Sequence, residues 1–414
     1  MSHTDTVMQK AVVLWLSGAR LADMRALPEV ETLIERGVMV ELDPSPITGP
    51  QSQHYQVFSG KSPSTFGFFD TFIPRNYAVT EESRGRGTTP ALLPDQLRAV
   101  GWTVSYQETT PSELVSSVRS MTESDPGAIK RASTCLIVKC EMHAAHDADA
   151  TAIGQALEVA RKWAGEDGLL ALLSDTQPSL VEHFVNMNNF LADMEMIERD
   201  EQSGKVDWLN SLAYFAGNGQ LMVNLLGRDA QGAVHPQDEY EEVRDSLIKA
   251  LPGKLRNPQN GEAVIERVYR KEELYTGDYL FCAPDLVVLF KPDYAPSESS
   301  KRVGFDETTF IAAAGETALA GVNPSTVGGF LIATAPSLAE RVTEYEHAPL
   351  TAVVPTLLHA LGVEYVDMES SAIATLFSPD YLETHPIRAT ARQQELSEED
   401  EELIISHLRD LGYV

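Results

Sequence analysis

The string KCEMHAAHDAD places His143, His146, Asp147 and Asp149 directly after the apolar run TCLIVKC, and a second apolar run, LLALLS, ends on Asp175. Carboxylates and imidazoles are the side chains that hold zinc and similar divalent ions. In open α/β sheets ligands collect at the carboxyl ends of the strands. A mononuclear metal site could therefore be built on His146 and Asp175, with His143 and Asp147 as helpers. The competing reading of the same string is a polar loop with solvated side chains. Cys140 stands beside it and could be a nucleophile, although a thiol within an apolar strand is by default buried and inert. Arg228 in LLGRDAQG could grip an anion with its guanidinium fork, or pair with an acidic neighbour. Asp285 in APDLVV reads as a residue that organises a turn. His54, His183, His359, His385 and His407 show no ligand spacing.

Elements that could position these groups follow from hydrophobic pattern. AVVLWL, from Ala11 to Leu16, is a continuous apolar run closed by Ser17 and Gly18, the mark of a strand covered on both faces. LPEVETLIERG has helical spacing at Val30, Leu33 and Ile34 and stops at Gly37. MVELDP follows as a second strand, and the Pro-, Gly- and Ser-rich stretch after it predicts a loop leading into a short helix. Such a strand–helix–strand opening predicts a doubly wound sheet. TCLIVKC, LLALLS and GGFLIATAP are further buried strands, with the amphipathic helix ATAIGQALEVARKWAG between the first two and TAVVPTLLHALG as a late helix. The spans 76–133 and 183–300 read as insertions into an α/β domain covering 1–395. The tail 396–414 reads as a separate acidic amphipathic helix, with Ser397 and Asp400 at its start and Ile404, Leu408 and Leu411 as its stripe.

Composition sets outer limits. The chain has 414 residues, enough for one large α/β domain with insertions or for two domains. Its 32 basic and 61 acidic residues leave a net charge of −29, which repels nucleic-acid phosphates and anionic lipid. Three cysteines without a Cys-x-x-Cys pair give neither a disulfide framework nor a zinc knuckle. The first apolar run is too short for a signal segment, and none reaches the roughly 18 residues of a membrane span. These features predict a cytoplasmic protein with no nucleic-acid or membrane partner.

Four strings in order, VDWLNSLAYF, LMVNLLGRDAQGAVHPQDEYEEVRDSLIKAL, NGEAVIERVYRKEELYTGDYLFCAPDLVVLF and TAVVPTLLHALGV, resemble the type I phosphodiesterase/nucleotide pyrophosphatase branch of the alkaline phosphatase superfamily. The closing LRDLGYV fits the same branch. The resemblance implies an α/β three-layer sandwich, alkaline-phosphatase-like, with a mostly parallel central sheet, helices on both faces and an inserted smaller α+β region. It also implies an active site at the sheet's carboxyl edge. There two metal ions, usually zinc, lie about 4 Å apart and share a phosphoryl oxygen.

The same resemblance implies that most of the reacting groups are replaced. Where the family has an Asp after the first strand, this chain has Ser17. Counting back from Ser59-Gly60-Lys61-Ser62-Pro63 puts the nucleophile position on Pro50, with Thr48 and Ser52 as flanking hydroxyls. His146 matches the middle-strand histidine, while Met142 stands where its partner Asp belongs. The adjacent Asp-His pair becomes Asp175 and Thr176. The last histidine falls near Ser325, and no histidine occurs between His235 and His347. One family ligand remains for each metal, whereas a catalytic zinc normally has three protein ligands. The expectation is a catalytically inactive pseudoenzyme with a binding, scaffolding or regulatory role, needing no cofactor. Its partner would be an unidentified protein or a small anionic ligand, and a homodimer is compatible with the acidic tail. The alternative is a phosphodiesterase or phosphatase that uses zinc or another divalent ion through a rewired site.

Overall fold

The computed structural model describes residues 9–43, 50–69, 73–75, 78–80, 89–124, 132–142, 147–177, 181–200, 202–297, 303–305, 311–313, 328–341 and 347–387. The acidic tail helix expected at 396–414 lies outside them.

The main strands are β1 (Lys10–Ser17), β2 (Val38–Leu42), β3 (Thr103–Thr109), β4 (Thr134–Glu141), β5 (Leu169–Thr176), β6 (Ala213–Phe215), β7 (Gln220–Val223), β8 (Ile265–Arg270), β9 (Leu286–Phe290), β10 (Gly328–Thr334) and β11 (His347–Ala348). The main helices are α1 (Pro28–Arg36), α2 (Pro50–Ser59), α3 (Leu114–Ser124), α4 (Asp147–Ala164), α5 (Asp238–Lys254) and α6 (Val353–Ala360).

A seven-stranded sheet runs in the order β11-β2-β10-β5-β1-β4-β3. Its strands are parallel except β10, which is antiparallel to both neighbours. The continuous apolar runs follow from this arrangement, since each inner strand is covered on both faces. On one face Val13, Trp15, Ile137, Ala171, Leu173 and Leu331 pack beneath α2 and α6. On the other, Val12, Leu14, Leu136, Leu170, Leu172 and Phe330 meet α1, α3 and α4. α4 contributes Ile153, Ala156, Leu157, Ala160 and Ala164, the i, i+3, i+4 stripe of an amphipathic helix. The result is the mixed α/β three-layer sandwich that the sequence predicts.

Two glycines open β10. A Cβ on Gly329 would lie 1.9 Å from the Ser174 carbonyl oxygen, and one on Gly328 would lie 1.5 Å from that of Leu42. Only a residue without a side chain lets the antiparallel strand enter between β2 and β5 at that level.

Within 76–133, read from sequence as an insertion, β3 joins the main sheet as its edge, in register with β4 from Thr103↔Thr134 to Thr109↔Cys140. A four-stranded antiparallel sheet, β6-β7-β9-β8, builds a second core with α5, whose Val243, Leu247 and Leu251 face it. The two parts are stitched by hydrogen bonds from Gln220 Nε2 to the Phe69 carbonyl (2.7 Å) and from Ser64 Oγ to the Thr276 carbonyl (2.8 Å). No helix among the described residues is long and apolar enough to cross a membrane.

Candidate functional site

The carboxyl ends of β1, β4 and β5 lie side by side, with Ser17 opposite Glu141 and Trp15 opposite both Lys139 and Leu173. Alternation along each strand sends Trp15, Ser17, Lys139, Glu141 and Asp175 to the α2 face. Asp175 is 4% exposed. Its Oδ1 accepts a hydrogen bond from Trp15 Nε1 at 3.0 Å, and the Ser17 hydroxyl bonds the same carboxylate. Burial raises the carboxyl above its ordinary value; the Trp15 and Ser17 donors and the nearby Lys139 ammonium oppose that rise without cancelling it.

α2 closes over this edge. The Gln53 side-chain amide donates to the Asp175 backbone carbonyl at 3.2 Å, which sets the helix's first turn, beginning at Pro50, against the end of β5. One turn on, the His54 ring sits 5.1 Å from Trp15, 5.3 Å from Phe58 and 6.5 Å from Tyr106, centroid to centroid. Burial, and then the Lys139 charge, push the His54 imidazole down to about 4, so it is neutral at physiological pH. Lys139 Nζ lies 5.1 Å over the Trp15 ring, 3.3 Å from Glu141 and 3.9 Å from Glu108. The Tyr106 hydroxyl donates to Glu108 at 2.6 Å, and burial raises its phenol well above the usual value.

Several expected residues meet here. Ser17 and Asp175 are in contact, the α2 start at Pro50 is adjacent, and Thr176 pairs in register with Gly328 at the entry to β10. Gln177 fixes that junction by accepting from the Leu21 amide (2.7 Å) and donating to the Gly328 carbonyl (2.7 Å). Met142 is a correction. Its backbone N–H donates to the Ser17 carbonyl at 2.8 Å, but its side chain turns to the opposite face, where the Cys140 thiol lies 3.8 Å from its sulfur. Strand alternation therefore presents Glu141, not Met142, on the Asp175 face. Cys140 is fully buried and its thiol is pushed up to about 12, mainly by burial, the setting of an inert thiol.

Ser52 is likewise fully buried, its hydroxyl donating to the Phe68 carbonyl at 2.8 Å. His143, His146, Thr48 and Ser325 lie outside the described residues, as does the side chain of Asp147, the first residue of α4. Among the described residues no three His, Cys, Asp or Glu side chains gather as ligands for an ion.

Sequence reasoning missed Trp15, His54, Tyr106, Glu108 and Lys139. The available signal was register. Lys139 and Glu141 alternate within TCLIVKCE, so a lysine interrupts an otherwise apolar face just where the strand reaches the edge. Arg228 and Asp285, by contrast, pair with each other at 2.8 Å, away from this edge. Asp285 also accepts from the Val223 amide (2.8 Å) and the Tyr240 hydroxyl (2.7 Å), the structural role expected of it.

The seven-stranded sheet, its single antiparallel strand and its helical layers match the alkaline-phosphatase-type fold of solved nucleotide pyrophosphatase/phosphodiesterase structures. Among solved structures, murine ectonucleotide pyrophosphatase/phosphodiesterase 5 superposes with a TM-score of 0.57 at 13% identity, over 89% of this chain and 100% of that one, in an inactive form complexed with AMP. A second structure of the murine protein gives 0.56 at 14% identity over 89% of this chain and 100% of that one. The human protein gives 0.54 at 12% identity over 92% of this chain and 100% of that one. At such identities the likeness is one of fold. No family profile matches the sequence, and no curated protein matches it.

Proposed function

We propose that this protein is a non-catalytic member of the nucleotide pyrophosphatase/phosphodiesterase fold group, with its two-metal site degenerate and its role one of binding or regulation. The observation that carries the reading is the state of Asp175. A metal-ligating carboxylate needs lone pairs directed at an ion; here the carboxylate is buried and holds the Ser17 hydroxyl and the indole N–H of Trp15, whose ring packs with His54 and Phe58. Ser17, where the resemblance places a carboxylate, is a neutral hydroxyl that donates to Asp175; it brings no negative charge and is a far weaker ligand for zinc than a carboxylate.

On this reading the edge lacks the ligands for a pair of divalent ions, which is supported by the absence of any group of three potential ligands among the described residues, and no phosphoryl-transfer step runs through it. Pro50 heads α2 where a hydroxyl nucleophile is required, and Ser52, the neighbouring hydroxyl in that helix, is buried and engaged. Phosphoryl transfer depends on groups acting together, so removing several of them costs far more than any one.

Hydrolysis of bis(p-nitrophenyl) phosphate and p-nitrophenyl phosphate with zinc, manganese or magnesium tests this reading. The expected rate equals that of buffer with the same metal. Turnover that scales with protein and is lost in His146→Ala would establish the rewired hydrolase instead.

A further inference from the structure

A cleft of about 550 Å³ opens at the end of the sheet opposite Asp175, between α1, the last two turns of α4 and the 334–340 segment after β10. It reaches Leu170, five residues along β5 from Asp175, or about 17 Å at the rise of a strand. It is therefore separate from the carboxyl-edge site, and a ligand bound there is independent of any chemistry at that edge. Its volume lies within the range of small-molecule sites, roughly 300–1,000 Å³. Leu33, Leu157, Leu170 and Leu338, all buried, are among the residues that line it.

The walls give the ligand's charge. Five carboxylates (Glu29, Glu158, Glu166, Asp167 and Glu340) line the cleft against two guanidiniums, Arg36 and Arg161, an excess of three negative charges. Arg36 is itself drawn to Glu166, 4.0 Å away. α4 ends there, at Ala164, and adds the partial negative charge of its terminal carbonyls. An anion would meet repulsion from the walls, and a purely apolar molecule would leave the charged rim unanswered. We propose that the cleft binds a small organic cation with an apolar body, an alkylamine or the equivalent amine-bearing side chain. Its ammonium would face Glu158 and Glu340 and its hydrocarbon part the lining leucines.

Calorimetric titration of the full-length protein with hexylamine, hexanol and ammonium chloride tests this. Hexylamine is expected to bind saturably at one site per chain, with the other two at least tenfold weaker, because each lacks either the charge or the apolar body. Replacing the exposed carboxylates in a Glu158→Gln/Glu340→Gln variant should weaken hexylamine about tenfold, the scale of two ion pairs near a surface. A control with the same charge change elsewhere, Glu242→Gln/Glu266→Gln, should leave binding unchanged. Ala335→Trp, filling the cleft from its wall, should abolish it. No saturable binding of hexylamine, equal binding of hexanol, or equal weakening in the control pair would each overturn the proposal.

Discussion

Asp175 is where chemistry and folding energetics meet most closely. Its carboxyl is held above the ordinary range by burial, so the folded chain binds that proton more tightly than the unfolded chain does. Stability linked to this group is thus fully present below its unfolded value, near 4, and is lost as pH rises through the higher folded value. Asp175→Asn removes that loss. Urea unfolding across pH is expected to show the variant gaining on the wild type as pH rises above about 4, then levelling. If Asp175 were instead a metal-stabilised carboxylate, the variant would lose stability in that window.

Trp15→Phe keeps the ring in the core but withdraws the indole donor from Asp175. Leaving a buried acceptor short of a partner costs about 1–3 kcal/mol. Denaturant midpoints should show that loss in the single variant and a smaller loss when Trp15→Phe is made on the Asp175→Asn background, since the pair is coupled. Single residues were unevenly legible in sequence. The type at Ser17 was readable from the apolar run before it. The indole that now bonds Asp175 was not, because Trp15 looks like any other core residue until β1 and β5 are set in register. The side of the sheet taken by Met142 was missed for the same reason, since a one-residue difference in where a strand meets the edge exchanges its faces.

Elements carried by continuous apolar runs were readable because burial on both faces leaves a strong mark: β1, β4, β5 and β10 all begin and end within a residue or two of AVVLWL, TCLIVKC, LLALLS and GGFLIATAP. β3 was not. TVSYQET is an edge strand with one neighbour and solvent along much of its length, so it needs no apolar run. The direction of β10 was also hidden, as a two-face-buried strand has the same composition either way; only its paired glycines hint at the crowded entry. Those glycines give a sharp prediction at this scale. Gly329→Ala sets a methyl against the Ser174 carbonyl within a buried strand pair and is expected to prevent folding or to cost more than about 3 kcal/mol. Gly101→Ala, at φ +92° but with open space around its Cβ, should cost only about 1 kcal/mol. Thermal unfolding of the two variants gives the comparison.

At the scale of the molecule, two cores are joined, and the second depends on a buried polar knot. Asp285 is fully buried and meets Arg228, Lys271, Tyr240 and the Val223 amide, tying β7, β9 and α5 together. Burial pushes its carboxyl up, but Arg228 and Lys271, with the hydrogen bonds, hold it below the usual carboxylate range. Removing it takes the buried carboxylate from Arg228, Lys271, Tyr240 and the Val223 amide at once, although Arg228 keeps Asp229, and Asp285→Ala should cost about 3–5 kcal/mol in denaturant unfolding while leaving the carboxyl edge untouched. The long matching strings that made the fold legible from sequence run through this second core, where structural side chains such as Arg228 and Asp285 are dense. The carboxyl edge was legible mainly through Ser17, Asp175 and Thr176 at the ends of two apolar runs. The groups that now occupy it come from α2, β1, β3 and β4, and no spacing in the chain links them.

On the proposed function, this edge holds no pair of metal ions. Metal content of the full-length protein, measured by mass spectrometry after equilibration with excess zinc and extensive dialysis, tests it most directly. Well under one zinc per chain is predicted, unchanged in Asp175→Ala. Two zinc ions per chain, falling when Asp175 or His146 is replaced by alanine, would contradict it.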